Sequence, residues 1–184
     1  MPPIPAARLT KAQRVAVREI VAGRRGRLSG PFIPSLRSPE FMNRLQRLGE
    51  YLRYDNALQP RLREMVILLT ARQWTQRYEW HVHAPLAIAH GLKRDVVRAI
   101  AEGHRPPAMT RNEALVYDFY MELQRHRTVS DATYRRAVAA FGERGVIDLV
   151  GAAGYYATLA MIMNVARTPV PRGKTDVLAT FPNS

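Results

Sequence analysis

An all-α fold follows from three observations on the 184 residues. Apolar residues recur at three- and four-residue intervals through nearly the whole chain. No stretch alternates as a half-buried strand would. Proline, glycine and capping residues cut the chain into segments of helical length. The expected architecture is a helical bundle of about six to eight helices. At this length the chain reads as one domain, 1–184, long enough to bury a core without staples.

Each element has its own reason. Thr10 to Ala22 is the first helix, within an N-terminal region 1–22, with Thr10 as N-cap and Gly23 as its stop. Gly23 to Ser38 reads as irregular, broken by Gly26, Gly30, Pro31 and Pro34. Its Phe32-Ile33 pair argues that it packs over the body of the protein instead of serving as a free linker. Ser38-Pro39-Glu40 opens a helix, with serine as cap and proline in the first turn. It runs to about Tyr54 and sets Phe41, Leu45, Leu48 and Leu52 on one face. Gln59-Pro60 starts another, which continues to about Thr75 through Leu62, Met65, Val66, Leu68 and Leu69. After a break at Gln76-Arg77, Tyr78 to His90 is helical and stops at Gly91, with Pro85 inside it expected to cost a hydrogen bond or a kink. Lys93 to Glu102 stops at Gly103, and Arg105-Pro106-Pro107 turns. Thr110-Arg111-Asn112-Glu113 is a capping box for a helix to about His126. Ser130 caps the next, to about Phe141. The last helix, about Val146 to Ala166, is rich in glycine and alanine, and such small side chains let another helix approach closely. An extended arm is expected after Pro169, with 172–184 as the C-terminal arm.

Composition narrows the chemistry. There is no cysteine, which removes disulfides, thiolate nucleophiles and Cys-based zinc sites together. The longest apolar runs fall short of the ~20 residues of a membrane span, and Met1-Pro2-Pro3-Ile4-Pro5 is no secretory signal. A cytoplasmic protein without a membrane partner is the expectation. The formal charge of +13 raises nucleic acid as a partner. However, three of the 28 basic residues are lysine (Lys11, Lys93, Lys174), leaving 25 arginines scattered over most of the predicted helices. No recognition helix or aromatic–basic platform emerges, so no nucleic-acid partner is expected. Arginine as a fork for small carboxylates fits as well.

The chemistry-bearing residues are Glu64, Glu79 and His83. Glu79 and His83 lie four apart, hence on one face of a helix and one turn from each other. Glu64 interrupts the apolar run Met65-Val66-Ile67-Leu68-Leu69, where a carboxylate is costly to bury unless paired. A second helix folding back offers it His83. The alternatives are a structural ion pair for Glu64, an i,i+4 surface pair for Glu79 and His83, and a metal site with the three as ligands and one open position. Nearby carboxylates disfavour joint ionisation, so one of the two acids is expected to stay protonated at neutral pH.

Several stretches carry a family likeness: Gly30-Pro31-Phe32-Ile33-Pro34 with Ser38-Pro39-Glu40; Leu48-Gly49-Glu50-Tyr51-Leu52-Arg53-Tyr54; Leu62-Arg63-Glu64 with Ala71-Arg72-Gln73-Trp74; Tyr78-Glu79-Trp80 with His83; and Tyr155-Tyr156-Ala157 leading to Asn164 and Pro169-Val170-Pro171. In these the chain resembles the carboxymuconolactone decarboxylase family, over roughly residues 23–171. The resemblance implies the all-helical fold typified by alkyl hydroperoxide reductase D. The thiol branch of the family carries Cys-x-x-Cys-x-x-x-His, and its cysteine positions fall here on Gln76 and Glu79. Without either thiol, disulfide-based peroxide chemistry is excluded. The chain resembles instead the branch with Glu-Trp-x-x-His, matched at Glu79, Trp80 and His83.

That branch implies decarboxylation of a small carboxylated lactone, or a related ring-cleavage metabolite, with neither metal nor organic cofactor. Such a reaction sends the bond electrons through the ring into the lactone carbonyl and needs one proton delivered to carbon. His83 suits the role of general acid because its ordinary pKa lies near neutrality. Glu64 would orient it, and Glu79 would be a second acid–base group. Arg72, Tyr78 and Trp80 are the candidate substrate binders: Arg72 as a carboxylate fork, the two aromatics as pocket walls. A non-catalytic binding or scaffold protein of the same fold is the alternative. The resemblance also implies a homo-oligomer, trimer or hexamer, with the small-residue helix at the contact.

Overall fold

The computed structural model describes residues 1–171 together with Leu178 and Ala179, so most of the expected arm lies outside the described residues. Among the described residues there are eight α-helices and no strand. They are α1 (Lys11–Ala22), α2 (Phe32–Ser35), α3 (Pro39–Glu50), α4 (Pro60–Gln73), α5 (Arg77–Ala89), α6 (Arg94–Ala101), α7 (Arg111–His126) and α8 (Asp131–Ala166), with a π-helical turn at Tyr51–Asp55.

Local chemistry sets most of the boundaries. Thr10 and Thr110 each accept from the backbone N–H three residues on, and Gln13 and Glu113 return the bond, closing two capping boxes. Ser130 caps α8 through Thr133 N–H. Ser38 does not cap α3 with its side chain; proline in the first turn starts that helix instead. The segment 23–38 is less irregular than expected, because Pro31 caps the short helix α2 and Pro34 sits in its first turn, where a missing N–H costs nothing. Helix α5 continues through Pro85 to Ala89.

The expected gap between the helices ending at Phe141 and starting at Val146 closes to one residue. Gly142 alone leaves helical geometry, at φ 69°, a conformation open to glycine without strain, and α8 resumes beyond it. The apolar face expected for α3 is also shifted. Met42, Leu45, Gly49 and Leu52 point inward, whereas Phe41 and Leu48 stay about half exposed.

Helix α4 is the axis of the molecule. Every residue from Leu62 to Arg72 is buried, with α5, α6, α7 and α8 packed around it. Burying each leucine, valine or methionine there contributes roughly 1.5–3 kcal/mol. Two apolar clusters meet along it. One joins α4 to α7 with the first half of α8; the other joins α1, α2 and α3 to Tyr155, Tyr156, Leu159 and Met163 of α8. Buried Asp148 ties α8 to the chain that enters α4, accepting from Tyr51 Oη at 2.9 Å and Ala57 N–H at 2.7 Å. Helix α8 is long and apolar enough, by length and composition, to cross a membrane, although the sequence runs had not suggested such a segment. In this fold 56% of its most apolar window is buried inside the protein.

Candidate functional site

Glu64 projects from the all-buried helix α4, where no solvent face is available to a charge. Its partner comes from α5, which folds back after a tight corner. The corner is fixed by side chains. Gln76 Oε1 accepts from Tyr78 N–H at 2.8 Å, Gln76 Nε2 donates to Asn164 Oδ1 at 2.7 Å, and Asn164 Nδ2 donates to the Trp74 carbonyl at 3.0 Å. With α5 held in that register, His83 Nδ1 stands 2.7 Å from Glu64 Oε2, and both side chains are buried. The arrangement that satisfies both has Nδ1–H donating to the carboxylate, which leaves Nε2 for the adjoining cavity.

Glu79, one turn before His83, is also buried, at 4% exposure, and its Oε2 has no hydrogen-bond partner. Burial pushes its carboxyl well above the ordinary range. The sequence had attributed a protonated acid here to repulsion between two carboxylates; desolvation is the cause. Tyr156 meets the His83 ring edge-on, with centroids 5.3 Å apart and planes at 83°. Burial first, then the nearby Glu79 and Glu64, push its phenol upward, so its O–H stays a donor.

These groups border a cavity of about 360 Å³. Glu79, His83 and Tyr156 form one side, with Tyr78 and Tyr54 as aromatic walls. The opposite side comes from 25–32, the segment whose apolar residues had indicated packing, and from the π-helical turn. Those pieces supply Arg25, Arg27 and Arg53. Arg25 lies over the Phe32 ring at 4.6 Å and donates to Tyr155 Oη at 3.3 Å; Arg53 lies 5.7 Å from the Tyr54 ring centre. Three guanidinium groups line the cavity with one acid that burial biases towards its neutral form, so the cavity favours an anion.

The structure thus brings Glu64, Glu79, His83 and Tyr78 to one place and leaves Trp80 and Arg72 outside it. Trp80 turns into the core among the α4–α8 side chains. Arg72 donates from Nη1 to the carbonyls of Ala101 and Ala179, at 3.1 and 2.7 Å, and from Nη2 to Thr75 Oγ1 at 2.9 Å. It anchors chain segments, and burial lowers its pKa. His81, two residues from His83, is half-buried. Among the described residues no three histidine or acidic side chains converge as metal ligands would. The sequence reading missed Arg25, Arg27 and Arg53 as cavity residues. The only available signal was arginine within the Leu48–Tyr54 stretch and beside Gly26.

Comparison with known proteins gives one family. The model of the carboxymuconolactone decarboxylase family matches residues 39–115, a span that includes Glu64, Glu79 and His83. No curated protein matches the chain.

Proposed function

We propose that this chain, whose residues 39–115 belong to the carboxymuconolactone decarboxylase family, is a cofactor-independent carboxy-lyase acting on a small carboxylated lactone or related ring-cleavage metabolite. The observation that carries the reading is the buried Glu64–His83 pair at 2.7 Å, opening with Glu79 onto an arginine-lined cavity. A closed cluster with no adjoining space would favour the rival reading, a binding protein that kept the fold without the reaction.

In this reading each residue has a role that its position supports. Arg25 and Arg53 hold the substrate carboxylates, the part first given to Arg72. The departing carboxylate leaves as carbon dioxide, and its bond electrons pass through the ring to the lactone carbonyl oxygen. Glu79, uncharged, donates a hydrogen bond to that developing oxyanion; a buried carboxylic acid serves this purpose because it needs no solvent to stay neutral. Tyr156 Oη is a second donor on the same side. His83 gives a proton from Nε2 to the ring carbon, Glu64 stabilises the imidazolium that precedes this step, and water reprotonates the imidazole afterwards. One proton is consumed for each carbon dioxide released.

The test follows lactone absorbance with purified protein. Glu64→Gln is expected to lower kcat with little change in KM, and Arg25→Ala to raise KM ~10-fold or more, as loss of a charged hydrogen bond implies. Absence of turnover across a panel of carboxylated lactones would remove the enzymatic reading.

A further inference from the structure

We infer that Arg27 is a specificity-determining residue of the cavity: it closes on a second anionic group of the ligand and makes the site prefer a dianion to the matching monoanion. The inference rests on the proposed reading for its reaction, but the preference itself is a property of binding. Arg25 and Arg53 already have parts in that reading; Arg27 has none. The three arginines are also held differently. Arg25 is preset, lying over Phe32 and bonded to Tyr155 Oη, with its Nε buried. Arg53 leans on the Tyr54 ring. Arg27 lines the same cavity, is exposed, and makes no hydrogen bond, ion pair or ring contact among the described residues. The acids around the segment and the cavity are engaged elsewhere. Arg24 N–H donates to Glu50 Oε1 at 2.9 Å, and Arg24 Nη1 donates to both oxygens of Asp55, at 2.9 and 3.0 Å. Glu64 is paired with His83, and burial biases Glu79 towards its neutral form. Arg27 therefore keeps an unspent planar fork and an uncompensated charge beside the cavity, the equipment for a carboxylate or a phosphate.

The backbone supplies placement without rigidity. The Arg24 bonds pin one end of the segment that carries Arg27. At the other end Gly30, at φ 56°, sits so close to the Tyr78 ring that a Cβ would meet it at 2.7 Å. Between these ends Gly26, at φ 68°, has open space where a Cβ would stand. Left-handed glycines on either side let Arg27 adjust along the cavity while its flanks stay put. Ordering a long side chain costs entropy, so a ligand with one anionic group, already met by Arg25, gains little from Arg27. A second group, away from the reacting carbon, gains a charged hydrogen bond that offsets this cost. That group keeps its charge when carbon dioxide leaves, so Arg27 binds substrate and transition state alike.

Two aromatic acids with no carbonyl sink in the ring test this without any reaction: isophthalate and benzoate, titrated calorimetrically into the full chain. Wild type should bind the diacid ~10-fold or more tighter than the monoacid, as one charged hydrogen bond implies. Arg27→Ala should erase most of that advantage by weakening the diacid, with its circular dichroism unchanged because the side chain is exposed and makes no contact. Arg27→Lys keeps the charge without the fork, and its preference should fall between the two. A diacid that binds no tighter than the monoacid, or not at all at millimolar concentration, would overturn the inference. So would an Arg27→Ala protein that keeps the full preference, or one that loses affinity for both acids alike. Where a carboxylated lactone is turned over, Arg27→Ala should raise KM more than it lowers kcat, and the reverse would also overturn it. The titrations involve no turnover, so failure of the carboxy-lyase reading and failure of this one are separate results.

Discussion

Glu79 lets the electrostatics of the site be tested without a substrate. Burial raises its carboxyl above the ordinary value of 4.5, so the folded protein holds this proton more tightly than the unfolded chain does. Below that ordinary value both states carry the proton and the site costs nothing. As pH rises past it, the unfolded chain ionises first, and stability falls until the folded-state pKa is passed. Glu79→Gln removes the dependence. It should leave thermal stability unchanged near pH 4 and raise it above wild type at neutral pH; melting curves across pH check this. At this scale, Glu64 and His83 were readable because a lone acid in an apolar run demands a partner and helical spacing limits who it can be. Arg72 and Trp80 were not. Helix α4 is buried all round, so no amphipathic face shows which way Arg72 points, and nearness in sequence was mistaken for nearness to the cavity.

The elements are held in place by close approaches that carry no sequence signature beyond a small residue. Gly49 is where α3 passes α8: a Cβ there would land on the Tyr155 hydroxyl and the Arg25 guanidinium. Gly49→Ala should therefore destabilise by about 1–3 kcal/mol through overpacking. It should also displace Arg25 and raise KM more than it lowers kcat, measured by chemical denaturation and by steady-state kinetics. Helix starts were legible wherever a side chain caps the backbone, as at Thr10, Thr110 and Ser130. Proline marked the starts of α3 and α4 correctly at Pro39 and Pro60, but Pro31 and Pro34 read as loop although they cap and enter the short helix α2. The four-residue gap expected after Phe141 was too wide because a single glycine suffices to redirect a helix.

For the whole molecule, charge and apolar surface divide the work. The arginines disperse as the sequence indicated, apart from the three that turn into the cavity. If the homo-oligomer that the family likeness implies forms, the melting temperature should rise with protein concentration, by mass action. A scan over two decades of concentration checks it, and a concentration-independent melt in wild type would argue against association. Fold class and bundle size were legible because helical periodicity spans the chain. Which faces stay uncovered was not, because a half-exposed apolar residue and a core residue obey the same spacing.

The most direct test of the account compares decarboxylation of a carboxylated lactone by wild type and by His83→Ala under matched conditions. The predicted result is a fall in kcat of ~10²–10⁴, with KM and the melting curve nearly unchanged. Equal turnover by the two proteins would contradict it.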